Sequence, residues 1–461
     1  MDKTGPEETL RRLKIYFHDG ITLPYNFRRE KLASLAETIT AYEDEIVRGL
    51  RADLQKDDFT SYASEIGIVL GEIRNAFKHL KRWMRRELRP INAMTFPSIA
   101  RVVSEPYGVC LIIGPWNFPF LLVMQPLVAA IAAGNCVILK PSERAPVTAK
   151  IVARIIREVF DPAYVAVIQG GAETSKRLLK LRFDFVFFTG SSAKGRGVMR
   201  AAAEHLTPVL LELGGKNPCI VHSDADVEKA ARRIAWGKFL NAGQSCIAPD
   251  FVAVQTDVRD ELLEHIRKFL KEFYGENPWM STSYERIVDS ASLKALAGLI
   301  EGENAYIGGI VEESERYMAP TVLTNVRWDS PVMEEEIFGP VLPVISYGVI
   351  HELVARLAGY PAPLALYIFT TNRDIRNRLI SRIRSGAVCV NDVVLQASIR
   401  SLPFGGVGES GMGSYHGKAG FDAFTYRRSI LLRTSRPDWQ IRYPPYRTPG
   451  KWLKAVLRRL L

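Results

Sequence analysis

The run Pro208-Val209-Leu210-Leu211-Glu212-Leu213-Gly214-Gly215-Lys216 carries an apolar stretch into two glycines, and Asn241-Ala242-Gly243-Gln244-Ser245-Cys246 closes the segment that it opens. Apolar residues followed by Gly-Gly read as a buried strand ending in a tight turn, with the Glu212 carboxylate left at its mouth. Cys246 stands in a small polar loop instead. A thiolate is a strong nucleophile and a carboxylate is a base for water, so the two together are candidates for covalent catalysis. Taken singly, a Cys is more often a small buried apolar residue and a strand-end Glu a solvated one, so the neighbouring segments must decide.

Upstream of Glu212 the chain alternates strand and helix. Strands are expected near 109–113, 136–139, 164–168, 184–188 and 208–211. That order predicts an α/β fold with a parallel sheet covered on both faces. Such sheets hold ligands at the carboxyl ends of their strands, where Asn117, Lys140 and Gly190 fall. Downstream of Gly214 a second α/β series begins, with helices at 226–240, 258–274 and 374–382 and strands at 251–255, 364–370 and 387–391. No low-complexity linker separates the halves, so the boundary is expected to be a hinge at Gly214 and Gly215. Before the first sheet, Leu32, Leu35, Ala36 and Ile39, then Ile46, Leu50 and Leu54, keep helical spacing, and a further helix is expected at 61–86. Residues 93–103 read as a projecting ribbon between Pro90 and Pro106, and 429–433 as a strand.

A chain of 461 residues is too long for one core, and 47% hydrophobic with 24% charged residues is an ordinary soluble balance. The five cysteines are an odd set, four of them in short apolar runs, which points to reduced thiols in a cytoplasmic setting. No Cys and His spacing resembles a metal site. The first twelve residues are charged and give no sign of a signal peptide. Residues 109–139 contain no Asp, Glu, Lys or Arg, yet Pro115, Pro119 and Pro126 divide them into strand, loop, helix and strand rather than a membrane span. Of the net charge of +11, residues 427–461 carry +9, so the body is nearly neutral. Without basic residues interleaved with aromatics across that body, a nucleic-acid partner is not expected.

Four further motifs surround the opening pair. Pro115-Trp116-Asn117-Phe118-Pro119 follows the first strand, and its two prolines stiffen a loop that holds a side-chain amide in place, as stabilising an oxyanion requires. In Leu139-Lys140-Pro141-Ser142-Glu143, Lys140 can reach ribose hydroxyls and Glu143 can accept from an adenosine 2′-OH. In Phe188-Thr189-Gly190-Ser191-Ser192-Ala193-Lys194-Gly195, a strand end passes through a glycine turn into a helix whose N–H groups, with the Ser191 hydroxyl, can meet a pyrophosphate. Glu334-Glu335-Glu336-Ile337-Phe338-Gly339-Pro340 is an acidic turn. A literal G-x-G-x-x-G at Gly406-Val407-Gly408-Glu409-Ser410-Gly411 follows no sheet strand and opens no βαβ unit, so it reads as architecture.

These motifs together resemble the aldehyde dehydrogenase superfamily, and Phe273-Tyr274-Gly275-Glu276-Asn277-Pro278, Gly413-Ser414-Tyr415-His416-Gly417-Lys418 and Arg442-Tyr443-Pro444-Pro445 resemble its class 3 and fatty aldehyde branch. The resemblance implies an aldehyde dehydrogenase-like fold: a Rossmann-like dinucleotide domain (1–87 and 107–213), a second α/β catalytic domain (214–412), an oligomerisation ribbon (88–106 and 425–435) and a basic tail (436–461). It assigns Cys246 as nucleophile, Glu212 as the base for water, and Asn117 with the Cys246 N–H to the oxyanion. It assigns Trp116, Lys140, Glu143, Gly190, Ser191, Gly195, Glu336 and Phe338 to NAD or NADP, Glu336 at the nicotinamide ribose and Phe338 beside the nicotinamide. The implied reaction is NAD(P)-dependent oxidation of aldehydes, medium or long aliphatic or aromatic ones, to carboxylic acids through a thiohemiacetal and a thioester, in a homodimer.

Two departures bear on the substrate. Gln396 stands where that branch often has His, and Glu409 where a small or amide residue is more usual; both are expected toward the substrate entrance. The tail places Trp452, Leu453, Val456, Leu457, Leu460 and Leu461 on one helical stripe with basic residues mostly opposite, the pattern of a helix docked on the body or lying peripherally on a membrane. The competing readings are a CoA-acylating dehydrogenase, which needs no base for water, and a non-catalytic lipid-binding protein, which needs no Asn117, Glu212, Cys246 and Glu336 set.

Overall fold

The computed structural model describes residues 5–92, 95–438, 442–445, 450, 451, 454 and 458. The first sheet has six strands in the order Gly411–Met412, Val209–Glu212, Phe185–Thr189, Val109–Ile113, Cys136–Lys140 and Val165–Val167. Its last five are mutually parallel, and the short first one runs antiparallel. Helices including Leu121–Ala133 and Pro146–Val159 cover it, which is why Val109–Ile113 and Cys136–Lys140 are apolar without alternation and buried at every position. Register sets Ile113 beside Lys140 and beside Phe188, and Thr189 beside Glu212. The ends of four strands therefore lie along one carboxyl edge.

Pro126 lies inside the helix Leu121–Ala133 rather than at a break. Gly134 ends that helix in the left-handed region, φ 95°. The uncharged run is thus strand, loop, helix and strand, and among the described residues no helix is long and apolar enough to cross a membrane.

A second hydrophobic core forms around a seven-stranded sheet ordered Asn304–Ile307, Thr321–Thr324, Val341–Tyr347, Phe251–Gln255, Pro218–Val221, Ala365–Phe369 and Ala387–Val390. Thr321–Thr324 and Val341–Tyr347, with no clear expectation from sequence, are its second and third strands. Strands Glu87–Arg89, Ser98–Pro106 and Thr425–Arg433 make a separate antiparallel ribbon. On it Leu88, Ile99, Leu431 and Leu432 stay exposed.

All five cysteines are free; Cys110, Cys136 and Cys219 are buried, whereas Cys246 and Cys389 are half-buried. The apolar tail stripe lies outside the described residues.

The glycine-rich segment at 406–411 is architectural, as its sequence context indicated. Gly411 pairs with Glu212, and a Cβ there would sit 2.4 Å from the Leu211 carbonyl at a φ of 147°. Gly411→Ala is therefore expected to lower stability by about 1–3 kcal/mol, measured as a fall in Tm.

Candidate active site

Cys246 follows a short helical turn, Leu240–Gly243, in which Asn241, Ala242 and Gly243 all take positive φ (55°, 50° and 72°). Three successive left-handed residues throw the chain back on itself, a conformation that persists only where its surroundings fix it. Here they do: a Cβ on Gly243 would meet the Gly339 carbonyl at 2.2 Å, and Gln244 reaches across to Arg286 and Val288. Asn217 holds the other side. Its Nδ2 donates to the Cys246 and Ala248 carbonyls at 2.8 and 3.0 Å, while its Oδ1 accepts from the Ala365 N–H at 2.8 Å. The Cys246 loop is thereby tied to the central strands of the second sheet.

Asn117 approaches from the first sheet. Its side chain is buried, its Nδ2 donates to the Gln244 carbonyl at 3.1 Å, and its own carbonyl accepts from Asn241 Nδ2 at 2.8 Å. The loops of Asn117 and Cys246 are knit together by amides.

Glu212 ends its strand fully buried, with neither carboxyl oxygen hydrogen-bonded. Burial pushes its pKa well above the ordinary carboxylate range. Glu336 folds inward over Gly214, where a Cβ would clash with its carboxyl, and its Oε1 also lacks a partner. Burial, then the neighbouring Asp250, raise Glu336 to about 8. Cys246 is pushed well above a free thiol by burial, then by Glu336 and Glu212. A protonated thiol beside two carboxyls of raised pKa is an arrangement for proton transfer, since a base works best when its pKa lies near the working pH.

The nucleotide candidates line the adjoining edge. Lys140 is buried and pairs with Glu143 at 2.6 Å. The Gly190 N–H donates to the Glu212 carbonyl at 3.0 Å, and Ser191 precedes the helix Ser192–Ala203 without a side-chain cap bond, leaving that hydroxyl and the first N–H groups free to meet a ligand. Gly195 lets that helix approach Leu213, which a Cβ would meet at 2.6 Å. Trp116 and Phe338 face each other edge-on at 5.5 Å, with Phe338 at a positive φ of 50°. Arg144 stands over Trp116 and bonds Asp289 and Ser292 on the second core. An orphaned buried carboxyl oxygen, a lysine at a strand end and an open helix N-terminus suit a dinucleotide. Among the described residues no cluster fits a metal ion.

Gln396 is buried beside the Cys246 loop: its Nε2 donates to the Tyr367 hydroxyl, which itself donates to the Ile247 carbonyl. Glu409 stands at the other side, beside the helix Ser192–Ala203. It pairs with Arg196 at 2.6 Å, and its carbonyl accepts from Ser192 Oγ, so it braces the start of that helix. Sequence reasoning missed Asn217, Asn241 and Gln244; Asn217 directly follows the Gly214-Gly215-Lys216 turn, the one local signal that marked its place.

The two-sheet α/β fold thus brings a thiol, two carboxyls and an amide together beside an edge that suits a dinucleotide. Residues 16–430 match the aldehyde dehydrogenase family, and the chain belongs to that family. It is 43% identical over 447 residues to the 4,4'-diaponeurosporen-aldehyde dehydrogenase of Staphylococcus aureus (strain NCTC 8325 / PS 47), covering 96% of this chain and 97% of that one. It is 44% identical over 440 residues to the "Aldehyde dehydrogenase, dimeric NADP-preferring" of Canis lupus familiaris, covering 95% and 97%. Other relatives carry the family 3 name, in keeping with the class 3 branch. Among solved structures, the substrate-bound state of Staphylococcus aureus AldH superposes with a TM-score of 0.96 at 42% identity, covering 98% of this chain and 100% of that one. The protein is an oxidoreductase that acts on aldehydes with NAD or NADP.

Proposed function

We propose that Cys246, Asn117 and Glu212 carry the oxidation of an aldehyde to its carboxylic acid, with the dinucleotide held by Trp116, Lys140, Glu143, Gly190, Ser191, Gly195, Glu336 and Phe338. The observation that carries this reading is the juxtaposition of the Cys246 loop with the Asn117 amide and a buried, unpartnered Glu212. The cofactor, when bound, accepts a hydride. Cys246 gives up its proton to a neighbouring carboxyl and adds through Sγ to the aldehyde carbon, forming the thiohemiacetal. Asn117 Nδ2 and the Cys246 N–H stabilise its oxyanion. Loss of hydride leaves the thioester; Glu212 takes a proton from water as that water attacks, and the acid departs with Cys246 restored. Glu212 favours water over coenzyme A as the acyl acceptor, because acyl transfer to a thiol needs no base for water.

Asn117→Ala is expected to lower kcat by about 10² to 10³-fold while cofactor affinity holds, measured by steady-state kinetics. For the substrate we infer medium or long aliphatic or aromatic aldehydes, as the 4,4'-diaponeurosporen-aldehyde in the name of the staphylococcal relative supports. NADH and NADPH production across straight-chain aldehydes tests this. Each added methylene that reaches apolar surface should raise kcat/KM about threefold to fourfold; a flat or falling series rules out a fatty-type substrate.

The same reading places the dinucleotide domain at 1–87 and 107–213, the catalytic domain at 214–412 and the oligomerisation ribbon at 88–106 and 425–435. The exposed apolar residues of the ribbon and the dimeric relative support a homodimer. The free thiols accord with a cytoplasmic enzyme, and the basic tail with peripheral membrane contact.

A further inference from the structure

Lys56 and Glu65 are both wholly shut from solvent and ion-paired behind the loop at 115–120, and no chemical step above uses either. Glu65 belongs to a π-helical turn, Tyr62–Ile66, a distortion that shifts side chains out of the ordinary helical register and recurs at functional positions. Its Oε2 accepts from the Phe120 and Leu121 N–H groups at 2.9 and 3.1 Å, donors at the start of the helix Leu121–Ala133 that have no partner within it. Its Oε1 takes Lys56. The Lys56 Nζ in turn donates to the Asn117 carbonyl at 3.2 Å and stands 4.1 Å from the centre of the Phe118 ring. Beyond the ion pair itself, its side-chain hydrogen bonds thus end on the segment that presents Asn117, while Lys56 also faces the buried Glu285 carboxyl. A buried ion pair is commonly no more stabilising than apolar side chains of the same volume, so stability alone gives little reason for one here.

We propose that Lys56 and Glu65 are positioning residues, whose ion pair fixes the Asn117 carbonyl and so aims the Asn117 amide at the oxyanion. The inference rests on the reading of Asn117 given above. Misplacing a reacting group by about 1 Å can cost on the order of 10² in rate, so the pair has leverage without touching substrate.

The test uses the full-length enzyme. Lys56→Met, and the double variant Lys56→Met with Glu65→Leu, are each made in the wild-type and Asn117→Ala backgrounds. Measured are kcat, aldehyde KM, NADH affinity by fluorescence titration, and Tm. The expected result is a kcat about ten- to a hundredfold lower with NADH affinity within twofold, and no further loss when Asn117 is already Ala. If the single variant does not fold, the double variant, which refills the space without charge, carries the test. A folded double variant within about threefold of wild-type kcat overturns the proposal, as does an equal fold-loss in both backgrounds, the mark of a merely structural pair. Full rate in Asn117→Ala alone overturns the reading of Asn117 itself, and that single variant reports it separately.

Discussion

Cys246→Ala is expected to abolish aldehyde turnover, with kcat reduced by about 10⁴-fold or more, because no covalent intermediate can form without the sulfur. The side chain is half-buried, and its loop is held by backbone and amide contacts from Asn217, Gln244 and Gly243 rather than by the thiol. Losing the sulfur should therefore leave the fold and the dinucleotide edge in place. NADH titration of the variant should give an affinity close to wild type while NADH production ceases. Turnover that survives would transfer the chemistry to another group and end the proposed mechanism.

Glu212→Gln should separate the two halves of the reaction. Thiohemiacetal and thioester formation need the thiol and the Asn117 amide, so a rapid burst approaching one NADH per active site is expected. Hydrolysis then lacks its base, and steady-state kcat should fall by about 10² to 10⁴-fold. In the wild type, burial holds the Glu212 pKa above its ordinary value of 4.5, so hydrolysis should quicken as pH rises through that elevated pKa. The same shift fixes the sign of a stability effect. A carboxyl whose pKa is higher folded than unfolded stabilises fully below its unfolded pKa, and this contribution is lost as pH rises through the folded one. The Tm of Glu212→Gln relative to wild type should therefore climb as pH rises from the ordinary carboxylate value of 4.5 through the elevated folded pKa. A constant difference across that range would mean that Glu212 finds a partner its buried oxygens do not have here.

The first sheet was legible because its strands are unbroken apolar runs such as Val109-Cys110-Leu111-Ile112-Ile113, buried on both faces, each ending at a Gly, Pro or polar residue. Lys140, Gly190 and Glu212 stood out as candidates for the same reason, since residues at strand ends contrast with apolar surroundings. Two adjacent strands of the second sheet were not legible: Val341–Tyr347 contains Pro343, and Thr321–Thr324 is four residues long. Proline and brevity both weaken a strand signal that only neighbouring strands restore. The partner of Glu409, Arg196 on another element, was not legible, because sequence distance says nothing of such a pair. Asn217, Asn241 and Lys56 act through contacts distant in the chain, and no periodicity marks an amide or a lysine for such work.

The short strand Gly411–Met412 lies against Val209–Glu212, and Thr425–Arg433 runs the full length of Ser98–Pro106. Early segments thus wait for late ones. A ribosome releases the strand that ends in Glu212 long before it makes the strand that flanks it, so the first sheet keeps an open edge through most of synthesis. The growing chain must pass that interval without pairing this edge with a neighbour's. Chains truncated before Gly411 would still contain every candidate catalytic residue, and would carry the same open edge permanently.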